Sequence, residues 1–291
     1  MSGDHFVSKF LLKRWATNGQ MVSYRWDVHR NDVREETKAG IHKHCAIRGL
    51  NNLWGVAHDE TRMLEAYFTE KIDTPSALVL EKMLRLGARA LTPADRMVWA
   101  KFLVALPIRT PDVMLQHGHC EAGKALREAE EFGLASPEDH AIANSNIRQN
   151  TWKHRRNSPR RVAIDLIEDP SKFGPILEMR WSMRRWTKRV ILIGDRPLLV
   201  HPQTTRWGIG FPLDHPQCLI ALPVAPNAVF FATFDTKGQQ KRRDVARGRL
   251  ANLLNEETIA RCADFVFAVD TSMRNFVTPR LSHRFCGVAV A

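Results

Sequence analysis

Met21-Val22-Ser23-Tyr24-Arg25-Trp26-Asp27-Val28 alternates apolar and polar side chains and is rich in residues that favour extended backbone. That period of two describes a half-buried strand. His29-Arg30-Asn31-Asp32 supplies turn formers and Val33 begins a return, so the stretch reads as a hairpin. Just upstream, Phe6, Phe10 and Lys13/Arg14 recur at helical spacing from His5 to Trp15, until Asn18-Gly19 breaks the pattern. Residues 41–48 offer one further strand.

Beyond the hairpin the pattern changes to helix. Thr74-Pro75, Thr92-Pro93 with Asp95, Thr110-Pro111-Asp112 and Ser136-Pro137 with Asp139 each carry a helix-start signature. The hydroxyl accepts an orphan N–H at the N-cap, proline at N1 has none to waste, and an acid in the first turn complements the dipole. These caps and the apolar spacing predict helices near 60–72, 75–88, 93–106, 111–132 and 137–150. After about residue 175 short β-like runs take over, at 177–183, 189–194, 198–200, 217–222, 228–234 and 264–269, with one long helix near 238–255. Strands at both ends of a helical middle predict an α+β fold: N-terminal helix and hairpin, central helical bundle, and a C-terminal, mostly antiparallel sheet with one long helix. A single domain over 1–291 is expected, helical at about 60–150, β-rich at about 175–291, with an exposed loop at about 151–175 where Pro, Asn, Ser and Arg gather.

The 291 residues carry a formal net charge of +12, and three segments hold it. Residues 147–161 contribute Arg148, Lys153, Arg155, Arg156, Arg160 and Arg161; residues 179–189 contribute Arg180, Arg184, Arg185, Lys188 and Arg189; residues 237–249 contribute Lys237, Lys241, Arg242, Arg243, Arg247 and Arg249 against Asp244. The remainder is mildly acidic. Local concentration of Lys and Arg is what phosphate contacts need, so nucleic acid or another polyanion is the expected partner, through Arg155, Arg156, Arg160, Arg184, Arg185, Lys241, Arg242 and Arg243. Equally, such segments can occupy different faces and serve only to keep the protein apart from its copies. Trp152, Trp181 and Trp186 lie inside them, where they either stack on bases or pack in the core. Five scattered cysteines without a Cys-x-x-Cys, no apolar run of roughly 20 residues and no signal-like N-terminus point to a reducing cytoplasm and no membrane.

His5-Phe6-Val7-x-x-Phe10-x-Leu12-x-x-Trp15, Arg109-Thr110-Pro111, Gly194-Asp195-Arg196-Pro197 and Phe211-Pro212-Leu213, taken in order, resemble a widespread bacterial family catalogued as a domain of unknown function. Its usual opening is His-Phe-Val-Pro-(Lys/Arg)-Phe. Ser8 stands here in place of the proline, and Asp73 where a glutamate is commoner. The resemblance implies one domain and brings no activity with it.

Three residues are candidate catalytic groups. His5 titrates near neutrality, so it reads as a general acid–base or as a capping histidine. Arg109 ends an apolar helix, fit either to clamp a phosphate or carboxylate or to cap the last carbonyls. Asp195 follows an apolar strand, as a site carboxylate or as a turn former. A hydrolase acting on nucleic acid would need the three to converge, with Arg109 stabilising a phosphoryl charge and Asp195 orienting His5 or a metal. Glu65 and Asp73 read as solvated helix acids. His42-Lys43-His44-Cys45 and His117-Gly118-His119-Cys120 match no common zinc spacing, so no metal is assigned. No Gly-rich phosphate loop, Gly-x-Ser-x-Gly or His-Glu-x-x-His occurs, and the cofactor is left unknown. The expected function is therefore binding of nucleic acid or another phosphate-rich ligand, extending to a nuclease-like stress or phage-defence enzyme. A non-catalytic regulatory module and an enzyme on a small phosphorylated metabolite are the alternatives.

Overall fold

A computed structural model describes residues 3–114, 157–188, 190–201, 213–234 and 247–286. The expectations for helices at 115–132 and 137–150, and those for Trp152, Arg155, Arg156, Lys241, Arg242, Arg243 and the His117–Cys120 string, lie outside these residues.

The fold is α+β, with every paired strand antiparallel. The hairpin forms as its alternation requires. β2 (Gln20–Asp27) and β3 (Asp32–Gly40) run opposite each other, with Trp26 across from Val33. Asp27 Oδ1 accepts the N–H groups of His29 and Arg30, and Asn31 takes φ 49°, a left-handed value asparagine tolerates. The two ends of the chain then meet. β10 (Phe265–Ala268) pairs with β2 and with β6 (Ile193–Gly194), giving one sheet in the order β3-β2-β10-β6. A second sheet runs β5 (Arg180–Arg185), β9 (Ala228–Thr233), β8 (Leu219–Ala225), β7 (Leu199–His201). β1 (Asp4–His5) pairs only with β4 (Ala46–Ile47), so the strand expected at 41–48 shrinks to two residues.

Between the strands, α1 (Lys9–Leu12) tightens into a 3₁₀ turn at Lys13–Trp15. α2 (Met63–Tyr67) and α3 (Thr74–Leu86) belong to one run, joined by a π-helical stretch, Phe68–Asp73. Thr74 is therefore not the start of a new helix. Pro75 lacks an N–H and crowds the preceding turn, and the wider π turn accommodates it while Thr74 Oγ1 donates to the Thr69 carbonyl at 2.7 Å. α4 (Pro93–Ile108) begins as its sequence demands, with Thr92 and Asp95 forming a reciprocal capping box.

The exposed loop expected at 151–175 is corrected from residue 157 onward. Residues 157–168 form helix α5, and α6 spans Pro170–Glu178. Ala163, Ile167, Phe173 and Ile176 sit at helical spacing and are buried, so apolar periodicity outweighs the Pro and Arg content. The strand expected to begin at 177 accordingly starts at Arg180. At the C-terminal end α7 (Arg247–Arg261) is followed by a second helix absent from the sequence reading, α8 (Arg274–Cys286).

The largest buried cluster runs from Phe6 to Phe267 and centres on α4, where Trp99 meets Phe102 and Phe230, with ring centroids 4.9 and 5.8 Å away. Two smaller clusters lie outside it. One includes Tyr24, Val266, Val277 and Leu281, on the first sheet and α8; the other joins Trp186, just past β5, and Val229 and Phe231 of β9 to Leu250 and Leu254 of α7. Among the described residues no helix is long and apolar enough to cross a membrane.

Candidate functional site: a buried polar cluster around the N-terminal strand

β1 is short because its side chains and carbonyls are claimed by polar partners rather than by a long ladder. Arg109, at the C-cap of α4 and 2% exposed, points back across the core. Its Nη1 donates to Ser8 Oγ and to Asp73 Oδ1, both at 2.8 Å, and its Nη2 to the His5 carbonyl at 2.9 Å. Ser8 Oγ itself donates to Asp73 Oδ1 at 2.8 Å, and the Phe68 ring lies 4.5 Å from the guanidinium carbon. The π turn thus delivers both Phe68 and Asp73 to one buried cation. An ion so enclosed needs this many partners, because desolvation of an unpaired guanidinium costs several kcal/mol.

The same strand holds a second group. Asp4 Oδ2 accepts the Asn51 N–H at 3.0 Å, and Asp4 Oδ1 faces Arg62 Nη2 at 3.4 Å. Asn51, fully buried, donates from Nδ2 to Glu65 Oε2 at 2.7 Å. Burial first, and then the charge of Asp4, raise the carboxyl of Glu65 above its ordinary range, against Asn51, Arg109 and Arg62, which lower it. Three buried atoms here have no partner among the described residues: Asn51 Oδ1, Asn52 Oδ1 and Arg109 Nε.

His5 and Arg109 are brought together, but through the histidine's carbonyl rather than its ring. The His5 ring is 4% exposed, with Nδ1 3.1 Å from the Gly3 carbonyl and Nε2 3.2 Å from that of Ile41. Burial lowers its pKa, and nearby Lys9 and His42 add to the effect, while the two carbonyls oppose it.

Asp195 does not join them. Its carboxylate accepts three backbone N–H groups, from Ala263 at 2.7 Å, Asp264 at 2.6 Å and Phe265 at 2.9 Å. It locks the entry of β10 against the end of β6, a structural use in place of orienting His5. Burial pushes its carboxyl up to about 6 despite those donors.

With this geometry in view, the comparisons add a family. A sequence model of the family described as "protein of unknown function (DUF4238)" matches residues 4–272. The chain belongs to the DUF4238 family. The comparisons with curated proteins and with solved structures return no match. The DUF4238 match opens at Asp4, so the whole polar cluster lies inside it.

Within this DUF4238 chain the sequence reading missed Asp4, Ser8, Asn51 and Arg62, and took Glu65 and Asp73 for solvated acids. Only Ser8 and Asp73 left a trace, as the two departures from the pattern the sequence resembles. They turn out to be hydrogen-bonded to each other. Nothing in the spacing of Asn51 marks it. His44 packs edge-on against Phe265 and Phe267, with Nδ1 3.2 Å from the Gly40 carbonyl, and Cys45 is buried.

The basic residues divide. Arg160 is 9% exposed and donates to the Leu50 carbonyl, so it belongs to the interior and not to a phosphate-facing surface. Arg184 and Arg185 lie on the edge strand β5 and, being adjacent, point to opposite faces of the second sheet. Trp181 and Trp186 are both buried, one in the main cluster and one in the α7 cluster, which settles them as core residues.

Proposed function

We propose that this protein binds nucleic acid or a comparable polyanion through a basic surface on the α7 side of the second sheet. The observation that carries the reading is that Trp186 and Leu250 share one buried cluster. Trp186 directly follows β5 inside the basic segment 179–189, and Leu250 immediately follows the basic segment that leads into α7. The described parts of the two segments, 179–188 and the end at Arg249, about 60 positions apart in the chain, are thereby tied to one layer.

Strand alternation supports the same surface. Ser182 and Arg184 pair with Phe231 and Val229, which face α7, so Arg180 and Arg184 stand on that side of the sheet. Arg180, Lys188 and Arg249 are exposed. The binding reading stands ahead of the nuclease reading because the ring nitrogens of His5, both Nη atoms of Arg109 and the carboxylate of Asp195 are engaged by the protein itself.

The test is fluorescence anisotropy with labelled single- and double-stranded oligonucleotides across a salt series. The expected result is affinity that falls linearly in log–log form, by about 0.7–0.9 per phosphate neutralised. The triple substitution Arg180→Gln, Arg184→Gln and Arg249→Gln should flatten that slope by about 2. A parent protein with no salt-dependent binding would overturn the reading.

A further inference from the structure

The hairpin sets like charge against like charge. Arg25 of β2 stands directly across from Arg34 of β3, and the next row toward the tip puts Asp27 across from Asp32. Directly opposed side chains have Cβ atoms about 5 Å apart, so like charges there weaken the pairing. The two acids are compensated, since Asp27 accepts the N–H groups of His29 and Arg30, and Asp32 accepts that of Val33. The two arginines are not. The other acids of β3 are engaged elsewhere: Glu35 by Nε and Nη2 of Arg274 at 2.7 and 2.5 Å, Glu36 by Lys43 at 3.7 Å and His44 at 3.4 Å. Among the described residues no carboxylate lies within ion-pairing distance of Arg25 or Arg34.

Strand alternation turns Tyr24 and Val33 toward α8 and turns Arg25 and Arg34 to the opposite face of the sheet. Arg34 is exposed and Arg25 half-buried, so the pair is open to a solute. On the third strand Phe265, itself half-buried, is the partner of Arg25 and the first residue of β10. Arg34, Arg25 and Phe265 thus form one row, with apolar surface at one end and two uncompensated cations at the other. A carboxylate has one charge and two oxygens in a plane, which suit a single guanidinium. A phosphomonoester carries about −1.5 to −2 of charge near pH 7 and three acceptor oxygens, enough for both.

We propose that Arg25 and Arg34 are a phosphate-binding pair for a phosphomonoester, borne by a nucleotide or by the end of a nucleic-acid strand. Phe265 lies where the organic part of such a ligand continues from the phosphate. The site is on the first sheet and stands independently of the polyanion surface on the second.

The experiment is calorimetric titration of the full chain, at low ionic strength, with adenosine monophosphate and with adenosine, which lacks only the phosphate. The nucleotide should bind about a hundredfold more tightly, at roughly tenfold for each guanidinium. Arg25→Gln and Arg34→Gln should each lower nucleotide affinity about tenfold and leave adenosine unaffected. Each substitution also removes the repulsion, so ligand-free Arg34→Gln should melt about 1–2 °C above the parent, the opposite sign from the loss of a structural arginine. Equal affinities for nucleotide and nucleoside in the parent overturn the proposal. So does a phosphate preference that survives both substitutions, or a lower Tm in Arg34→Gln. Oligonucleotides with and without a 5′-phosphate assign the source: preference for the phosphorylated strand identifies a nucleic-acid end, and preference confined to the mononucleotide identifies a free nucleotide.

Discussion

Arg109 Nη1 lies 2.8 Å from Asp73 Oδ1, an ion pair that joins the end of α4 to the end of the π turn across the core beneath β1. The guanidinium is almost sealed from water, while Asp73 keeps about a fifth of its side-chain surface. The pair is therefore asymmetric: the cation depends on the acid far more than the acid depends on the cation.

Asp73→Asn should destabilise the fold by about 3 kcal/mol, since it leaves a buried charge without its counter-ion. Arg109→Met, which removes the charge and keeps most of the volume, should cost less. Urea unfolding of both variants decides it; a milder loss in Asp73→Asn than in Arg109→Met would contradict the asymmetry.

The pH dependence of stability should carry a mark of His5. Its folded pKa is lowered from 6.5 by burial, so below pH 6.5 the unfolded chain takes up a proton before the folded one does. The neutral ring's contribution is fully present above 6.5 and is lost as pH falls from there toward the lowered folded value. His5→Asn should show a shallower loss of stability between pH 7 and pH 5 than the parent. An unchanged slope would mean that the ring does not titrate differently in the two states.

Asp195→Ala should loosen the junction of β6 and β10, because three part-buried N–H groups lose their acceptor. The expected cost is up to about 3 kcal/mol, at roughly 1 kcal/mol per orphaned donor. Hydrogen exchange should accelerate at Ala263, Asp264 and Phe265 ahead of the strand centres. Activity or binding assays would not isolate this effect; the exchange pattern does.

Thr92→Ala should remove one arm of the capping box on α4 and cost about 1 kcal/mol. Thr74→Ala, at the position that resembles a cap in sequence, should cost only the single bond to the Thr69 carbonyl. Thermal unfolding of the pair compares a true N-cap with an apparent one.

The difference between those two threonines explains what local sequence can and cannot reveal. Thr92-Pro93-Ala94-Asp95 satisfies the capping box with its own four residues, so the pattern suffices. Thr74-Pro75 has the same opening, but the preceding turn carries Phe68 and Asp73 to Arg109, 36 positions on, and the helix runs through. The helix at 157–168 was missed because Pro, Asn and Arg suggest a loop, whereas Ala163 and Ile167 are decided by burial.

By itself the sequence determined the hairpin, the helical middle, the strands at both ends and the segregation of positive charge. These follow from period, caps and composition, which act over a few neighbouring residues. Tertiary structure alone decided that β10 pairs with β2, that Arg109 and Asp73 neutralise each other, that Asp195 serves the backbone, and that Asn51 reaches Glu65. Each joins groups distant in the chain, and the cost of burying charge or an unpaired polar atom selects the partner only once the fold has brought the candidates within hydrogen-bonding distance.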